Sequence, residues 1–322
     1  MTYFLRRLLH GVLVLIGVSI LSFVFVQLAP GEFFSDMRVN PQISPQTIAS
    51  LRAQYGLDRP LPVRYMRWVR SVVQGEWGYS FAYNVPVSQL IWARARNTLG
   101  LTVVAALLAW LVSIPLGIYA AVGRDRWGDR VTVAGSSALL SVPDLLLALG
   151  LLRLAIHTKA FPVGGMTSIE YADLGPWGRI KDVVVHFALP VAALVFGTLP
   201  VFVRHVRASM IEALALPSIQ AARGYGIARR RILFRYALPA AANPLISLFG
   251  LSIATLLSAS LLVEVVMSWP GLGPMLLEAI LARDLYMVIG AVMLSTTFLV
   301  AGNFIADVLL YLSDPRIRRS TS

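Results

Sequence analysis

Chemistry in a protein needs particular side chains at particular spacings, and this chain is sparing with them. It has no cysteine, so it offers no thiolate nucleophile, no thiolate metal ligand and no disulfide framework. Its histidines, His10, His157, His186 and His205, form no His-Glu-x-x-His pair, and no Gly-x-Ser-x-Gly elbow presents a serine for acyl transfer. The "GSS" at 135–137 reads instead as small residues for close helix packing. The lysines, Lys159 and Lys181, follow Thr158 and Ile180, so no Gly-Lys-[Ser/Thr] phosphate cradle is present and ATP hydrolysis by that machinery is excluded. Two features remain. Three acids, Asp144, Glu264 and Asp307, stand inside apolar runs, where they would suit proton or ion binding. One stretch, "QAARGYGIARRRILFRYALPAA" at 220–241, carries five arginines punctuated by two glycines.

The elements that hold these residues follow from hydropathy. With 57% hydrophobic residues, 14% charged residues and a mean hydropathy of +0.72, the 322-residue chain is a membrane protein in composition. Six runs reach the roughly 20 residues that a bilayer-crossing helix needs: Leu8–Ala29, Thr98–Val122, Val131–Leu152, Val183–Phe202, Pro244–Met267 and Tyr286–Leu312. Each is expected to be helical, because lipid supplies no partner for a free backbone amide. Pro115, Pro190 and Pro200 do not forbid this, since neighbouring helices satisfy the freed carbonyls. The first run is too long for the apolar core of a signal peptide, and "APGEFF" is a poor cleavage site, so it reads as a retained anchor helix.

Six spans place both ends on one side, and basic residues in short loops choose which side. Fifteen arginines fall together: Arg6, Arg7, Arg124, Arg126, Arg130, Arg204, Arg207, Arg223, Arg229, Arg230, Arg231, Arg235, Arg316, Arg318 and Arg319. The opposite short loops hold five basic residues, Arg153, Lys159, Arg179, Lys181 and Arg283, so the arginine-rich side and both termini are expected in the cytoplasm. The net charge of +12 is thereby explained by topology. A nucleic-acid reading would need a soluble folded domain or a recognition pattern, and neither is present. The external segment 30–97 carries helix-start signals at Ser44-Pro45 and stops at Gly56 and Pro60, which predict two or three short helices.

The loop from Glu212 to Pro239 is the longest cytoplasmic one. Pro217 can open a helix over Ser218–Tyr225, Gly226 suits a left-handed ending, and a second short helix over Ala228–Leu238 should stop at Pro239. Helices this short are marginal alone in water, so Ile219, Ala222 and Ile227 must pack on the bundle or on a cytoplasmic partner. Taken by themselves, the arginines also fit a solvated, topology-setting face.

These residues carry a resemblance. Gln220-Ala221-Ala222, three residues, Gly226, nine residues, Tyr236, one residue, then Leu238-Pro239 is similar to the cytoplasmic loop signature of inner-membrane permeases of binding-protein-dependent ABC importers. The signature has glutamate where this chain has Gln220 and isoleucine where it has Tyr236. "YFLRRLLHGVLVLIGVSILSFVFVQLAPG", "LRAQYGLDRPLPVRYMRWV", "GEWGYSF", "FPVGG", "EVVMSWPGLG", "ARDLYMV" and "NFIADVLLYLSDPRIR" resemble, in order, the oligopeptide/dipeptide/nickel branch of that family.

The resemblance implies an all-α type I ABC importer permease fold of six transmembrane helices. It implies an N-terminal helix with an external short-helix segment (1–97), a five-helix core (98–312) with the coupling loop at 209–240, and a cytoplasmic tail (313–322). The ATPase-coupling residues would be Gln220, Ala221, Ala222, Arg223, Gly226, Ile227, Leu238 and Pro239. The partners implied are a second, related permease chain in a heterodimer, two cytoplasmic ATPases that use ATP and Mg, and an external solute-binding protein. No cofactor is expected on this chain, and the location implied is the bacterial inner membrane. Peptides are the implied solute class, with nickel, glutathione and similar solutes as alternatives. The rival reading from the residues alone is a proton- or ion-coupled secondary transporter built on intramembrane acids. Asp144 and Glu264 are the substrate-path candidates. Asp144 adjoins Pro143, and Arg153 lies nine positions on, on the opposite helix face, so the pair cannot neutralise each other.

Overall fold

The computed structural model describes residues 2–28, 46, 50, 53 and 58–313. The expected helix start at Ser44-Pro45, the stop at Gly56 and the tail from 314 onward lie outside the described residues.

Helices dominate because apolar runs leave the backbone no other way to pair its amides in lipid. The order is α1 (Thr2–Leu28), α2 (Leu61–Val73), a two-stranded antiparallel hairpin of β1 (Tyr79–Ser80) and β2 (Val85–Pro86), α3 (Val87–Val122), α4 (Trp127–Leu140) and α5 (Asp144–Thr158). A short 3₁₀ turn (Ile169–Asp173) follows, then α6 (Pro176–Ala215), α7 (Pro217–Gly224), α8 (Arg229–Ile232), α9 (Leu238–Ala240), α10 (Ala242–Val266), α11 (Leu272–Leu281) and α12 (Leu285–Ser313). Pro60, expected as a stop, serves as the N-terminal boundary of α2.

Among the described residues, five helices are long and apolar enough to cross a membrane on their own: α1, α3, α6, α10 and α12. The expected third span, Val131–Leu152, is not one helix. It is divided into α4 and α5, which meet at 95° across Ser141–Pro143, and it counts as a sixth span only if the bent pair is taken together. Pro143 explains the break: it has no N–H for the preceding turn, and its ring disfavours helical backbone at Val142. Pro115, Pro190 and Pro200, by contrast, lie inside unbroken helices. The fourth span is longer than hydropathy alone marks. Its 40 residues rise about 60 Å, twice the hydrocarbon thickness, so its ends extend into water.

The chain forms two compact units. One comprises residues 1–4, 99–269 and 299–322; the other comprises 5–98 and 270–298. In the first, Trp110 of α3 stacks on Phe202 of α6 at 4.9 Å between ring centroids and donates its indole N–H to Ser252 Oγ of α10 at 3.3 Å. Glycines permit the close helix contacts around this core. A Cβ at Gly117 would fall 2.6 Å from Val206, and one at Gly250 would fall 2.3 Å from the Ala306 methyl. In the second unit Phe23, Tyr65 and Trp68 form an aromatic cluster over Leu285 and Ile289. There the hairpin is tied to the start of α12: Ser80 Oγ donates to the buried Asp284 carboxylate at 2.6 Å, and the Ala82 N–H adds a bond at 3.0 Å.

Candidate functional site

The arginine-rich loop folds into a knob that closes onto its own bundle. Pro217 occupies the first turn of α7, where its missing N–H costs nothing. The helix ends at Gly226, whose φ of +70° is open to glycine and strained for other residues. Two bonds finish it: Gly226 N–H to Arg223 C=O at 3.0 Å and Ile227 N–H to Ala222 C=O at 3.2 Å. That pairing is the Schellman ending, which uses carbonyls the helix would otherwise leave without donors.

One face of the knob is buried. Ile219, Ala222 and Ile232 join a core with Ile118, Met210, Leu214 and Leu245, and Ile227 packs at its edge. The apolar residues of the loop thus find their partner in the bundle itself. Gln220 adds a polar tie, donating its side-chain N–H to the Leu214 carbonyl at 2.8 Å, near the end of α6. A glutamate, which only accepts when ionised, cannot make this bond.

The second short helix differs from expectation. Instead of a continuous helix stopped by Pro239, the chain runs through α8, a wide π turn at Leu233–Ala237 and α9, with Pro239 inside α9. The Leu238 N–H reaches back five residues to Leu233 C=O, and the wider turn admits the proline ring that a regular helix would reject. Leu238 is half-buried, whereas Ala221, Arg223 and Pro239 are exposed.

The other face is open and cationic. A cavity of about 530 Å³ lies between the knob and the ends of α3 and α6, lined by Arg124, Ile211, Leu214, Gln220, Arg223, Ile227 and Arg229, among others. Tyr225, next to Gly226 in the chain, is 88% exposed. Among the described residues, Arg223, Arg229, Arg230, Arg231 and Arg235 form no ion pair. The arrangement is a half-buried projection with an aromatic tip and unneutralised arginines, suited to an acidic or cleft-bearing protein surface and not to covalent chemistry.

Sequence reasoning missed one partner. Arg207, counted there only as a topology-setting charge, forks onto Asp129 of α4, with Nε to Oδ1 at 2.5 Å and Nη2 to Oδ2 at 2.7 Å. Asp129 is buried and also accepts the Asp125 N–H at 2.9 Å. The pair ties α4 to the α6 segment that leads into the knob. An acid among basic residues at 124–130 was the available signal.

The two substrate-path candidates occupy contrasting places. Asp144 opens α5 at the break and is exposed, its carboxylate lying against Gly197 of α6. Glu264 is fully enclosed in α10, and its backbone carbonyl accepts the Trp269 N–H at 2.8 Å, turning the chain after the helix. The structure does not bring these acids into one cluster with Asp307, which lies near the end of α12.

Comparison with known proteins agrees with this architecture over almost the whole chain. Residues 113–319 match the family described as binding-protein-dependent transport system inner membrane component, and residues 1–102 match its N-terminal companion. The chain is 34% identical over 317 residues to the oligopeptide transport system permease protein AppB of Bacillus subtilis (strain 168), covering 98% of each chain. It is 35% identical over 335 residues to the dipeptide transport system permease protein DppB of Escherichia coli (strain K12), again covering 98% of each. It is 33% identical over 319 residues to the glutathione transport system permease protein GsiC of Salmonella paratyphi A (strain ATCC 9150 / SARB42), covering 99% of each. Among solved structures, the fold is similar to the inward-facing MetNI methionine ABC transporter, with a TM-score of 0.54 and 17% identity over 70% of this chain and 97% of that one. Five long apolar helices and one bent apolar pair among the described residues, together with similarity over almost the whole chain, place the chain in the binding-protein-dependent ABC importer permease family, as a multi-pass inner-membrane component with the type I fold.

Proposed function

We propose that this chain is the translocation subunit of an ATP-driven importer that moves peptides inward across the cytoplasmic membrane. It would work with a second permease chain in a heterodimer, two cytoplasmic ATPases and an external solute-binding protein. The peptide assignment is supported by the relatives named for oligopeptide, dipeptide and glutathione transport. ATP and Mg would act on the ATPases, since this chain has no phosphate cradle. Both termini would lie in the cytoplasm with the arginine-rich loops. Functionally the chain would divide into 1–97, the core 98–312 with its coupling loop at 209–240, and the tail 313–322.

The knob closed by Gly226 carries the mechanism. In it Gln220, Ala221, Ala222, Arg223, Gly226, Ile227, Leu238 and Pro239 form the ATPase-coupling element, buried on the bundle side and open on the other. Closure of the ATPase pair on nucleotide would push the knob, and α6 and α10, which flank it in the chain, would carry the displacement into the membrane. Nucleotide shifts the facing equilibrium only as far as it binds one facing state better than the other. Asp144 is proposed to face the solute path. Glu264 would contribute at its outer end only from an enclosed position.

The test is Gly226→Val in the complete transporter reconstituted in vesicles. A β-branched residue at φ +70° strains the hinge, at a cost of about 1–2 kcal/mol. ATP hydrolysis should continue while solute uptake per ATP drops. Uptake at the wild-type ratio would remove the coupling role.

A further inference from the structure

We infer that Asp144, lying against Gly197 of α6, forms a cation site within the membrane, and that it receives the ammonium group of the transported solute. The identity of the cation rests on the peptide-import reading; the site itself does not.

The site begins with an exception to how acids behave in lipid. Asp144 stands between two apolar helices, with exposed Val142, Leu145 and Leu146 around it, and its side chain is itself exposed on the chain. Among the described residues its carboxylate has no hydrogen-bond or ion-pair partner. A carboxylate in apolar surroundings does not face hydrocarbon; it faces water or a cation. The nearest basic residue of α5, Arg153, is about 900° around and some 13 Å along the helix, on the opposite face.

Gly197 lets the carboxylate approach the α6 backbone: a Cβ there would fall 2.5 Å from Oδ1 and 3.3 Å from Cγ. A carboxylate with no partner among the described residues calls for a compact donor of positive charge. An α-ammonium, with three N–H donors, has that chemistry. The solutes named for the three relatives are peptides, and peptides with a free N-terminus carry this group.

The experiment uses the absence of cysteine from this chain. Leu145→Cys, next to the intact Asp144, is introduced into the complete transporter in vesicles. Its labelling on this chain is followed with two membrane-impermeant methanethiosulfonates, one cationic and one anionic. The cationic reagent should react faster, and Asp144→Asn in the same background should reduce the cation-to-anion rate ratio about fivefold or more. A zwitterionic dipeptide should slow the cationic reaction while its N-acetyl derivative does not. An unchanged ratio in Asp144→Asn would overturn the site. So would a thiol that neither reagent reaches, together with an Asp144→Asn complex that loses its second permease on size-exclusion chromatography, since the acid would then be paired across the subunit interface. Equal protection by the two peptides would overturn the ammonium assignment. Should the ratio change as expected while the wild-type transporter shows no ATP-dependent peptide uptake, the cation site stands and the peptide reading fails.

Discussion

Gln220 donates where a glutamate could only accept, and that difference shapes the base of the knob. Its bond to the Leu214 carbonyl satisfies one of the last acceptors of α6, which has no intrahelical donor of its own. Gln220→Glu should replace an attraction with carboxylate–carbonyl repulsion at a helix C-terminus, lowering stability by about 1 kcal/mol. Thermal unfolding of the purified complex in detergent measures this, and an unchanged midpoint would show that the bond carries no net stability. Arg207 and Asp129 are bound more strongly because both oxygens of a buried carboxylate are engaged by one planar fork. Asp129→Asn should cost about 2 kcal/mol, and Arg207→Lys with Asp129 intact should also destabilise, because an ammonium cannot reproduce the planar fork onto both oxygens. The same unfolding measurement decides both variants.

At the scale of elements, helices approach closely where side chains are missing. Gly250 of α10 faces Ala306 of α12, and a methyl at Gly250 would overlap the Ala306 methyl at 2.3 Å. Gly250→Ala should therefore separate the helices and lower the yield of folded complex. Ala306→Gly in the same chain should restore it by moving the missing volume to the other helix. Rescue is the informative result, because a glycine needed only for backbone flexibility would not be compensated from α12. The broken α4–α5 pair follows the opposite logic. There, Pro143 converts one apolar stretch into two helices at 95° and brings Asp144 to a helix start instead of mid-helix.

For the whole molecule, the proposed orientation follows from the charge distribution and can be read by labelling. Tyr225, 88% exposed on the knob, and Ile169, 98% exposed in the loop between α5 and α6, belong to loops on opposite sides of the membrane in the proposed topology. In spheroplasts, an impermeant thiol reagent should label Ile169→Cys and leave Tyr225→Cys untouched until the membrane is opened. The reverse pattern would invert the topology and place the knob where no ATPase could reach it.

Much of this was written in composition and spacing. The six apolar stretches, the side rich in arginine, the left-handed Gly226 and the short helix after Pro217 follow from rules that act within a few residues: hydropathy over a bilayer's thickness, a proline without an N–H, a glycine without a Cβ. Tertiary packing decided the rest. Pro143 breaks its helix while Pro115, Pro190 and Pro200 do not, because whether a freed carbonyl is tolerated depends on the neighbouring helices. Pro239 continues a helix because the preceding turn widens to admit it. Arg207 meets Asp129 seventy-eight residues away, and Asp144 meets Gly197, each through a contact between a side chain and distant chain that no local pattern encodes. Local sequence determines which backbone shapes are open to each segment; which side chains become partners is settled only when the helices pack.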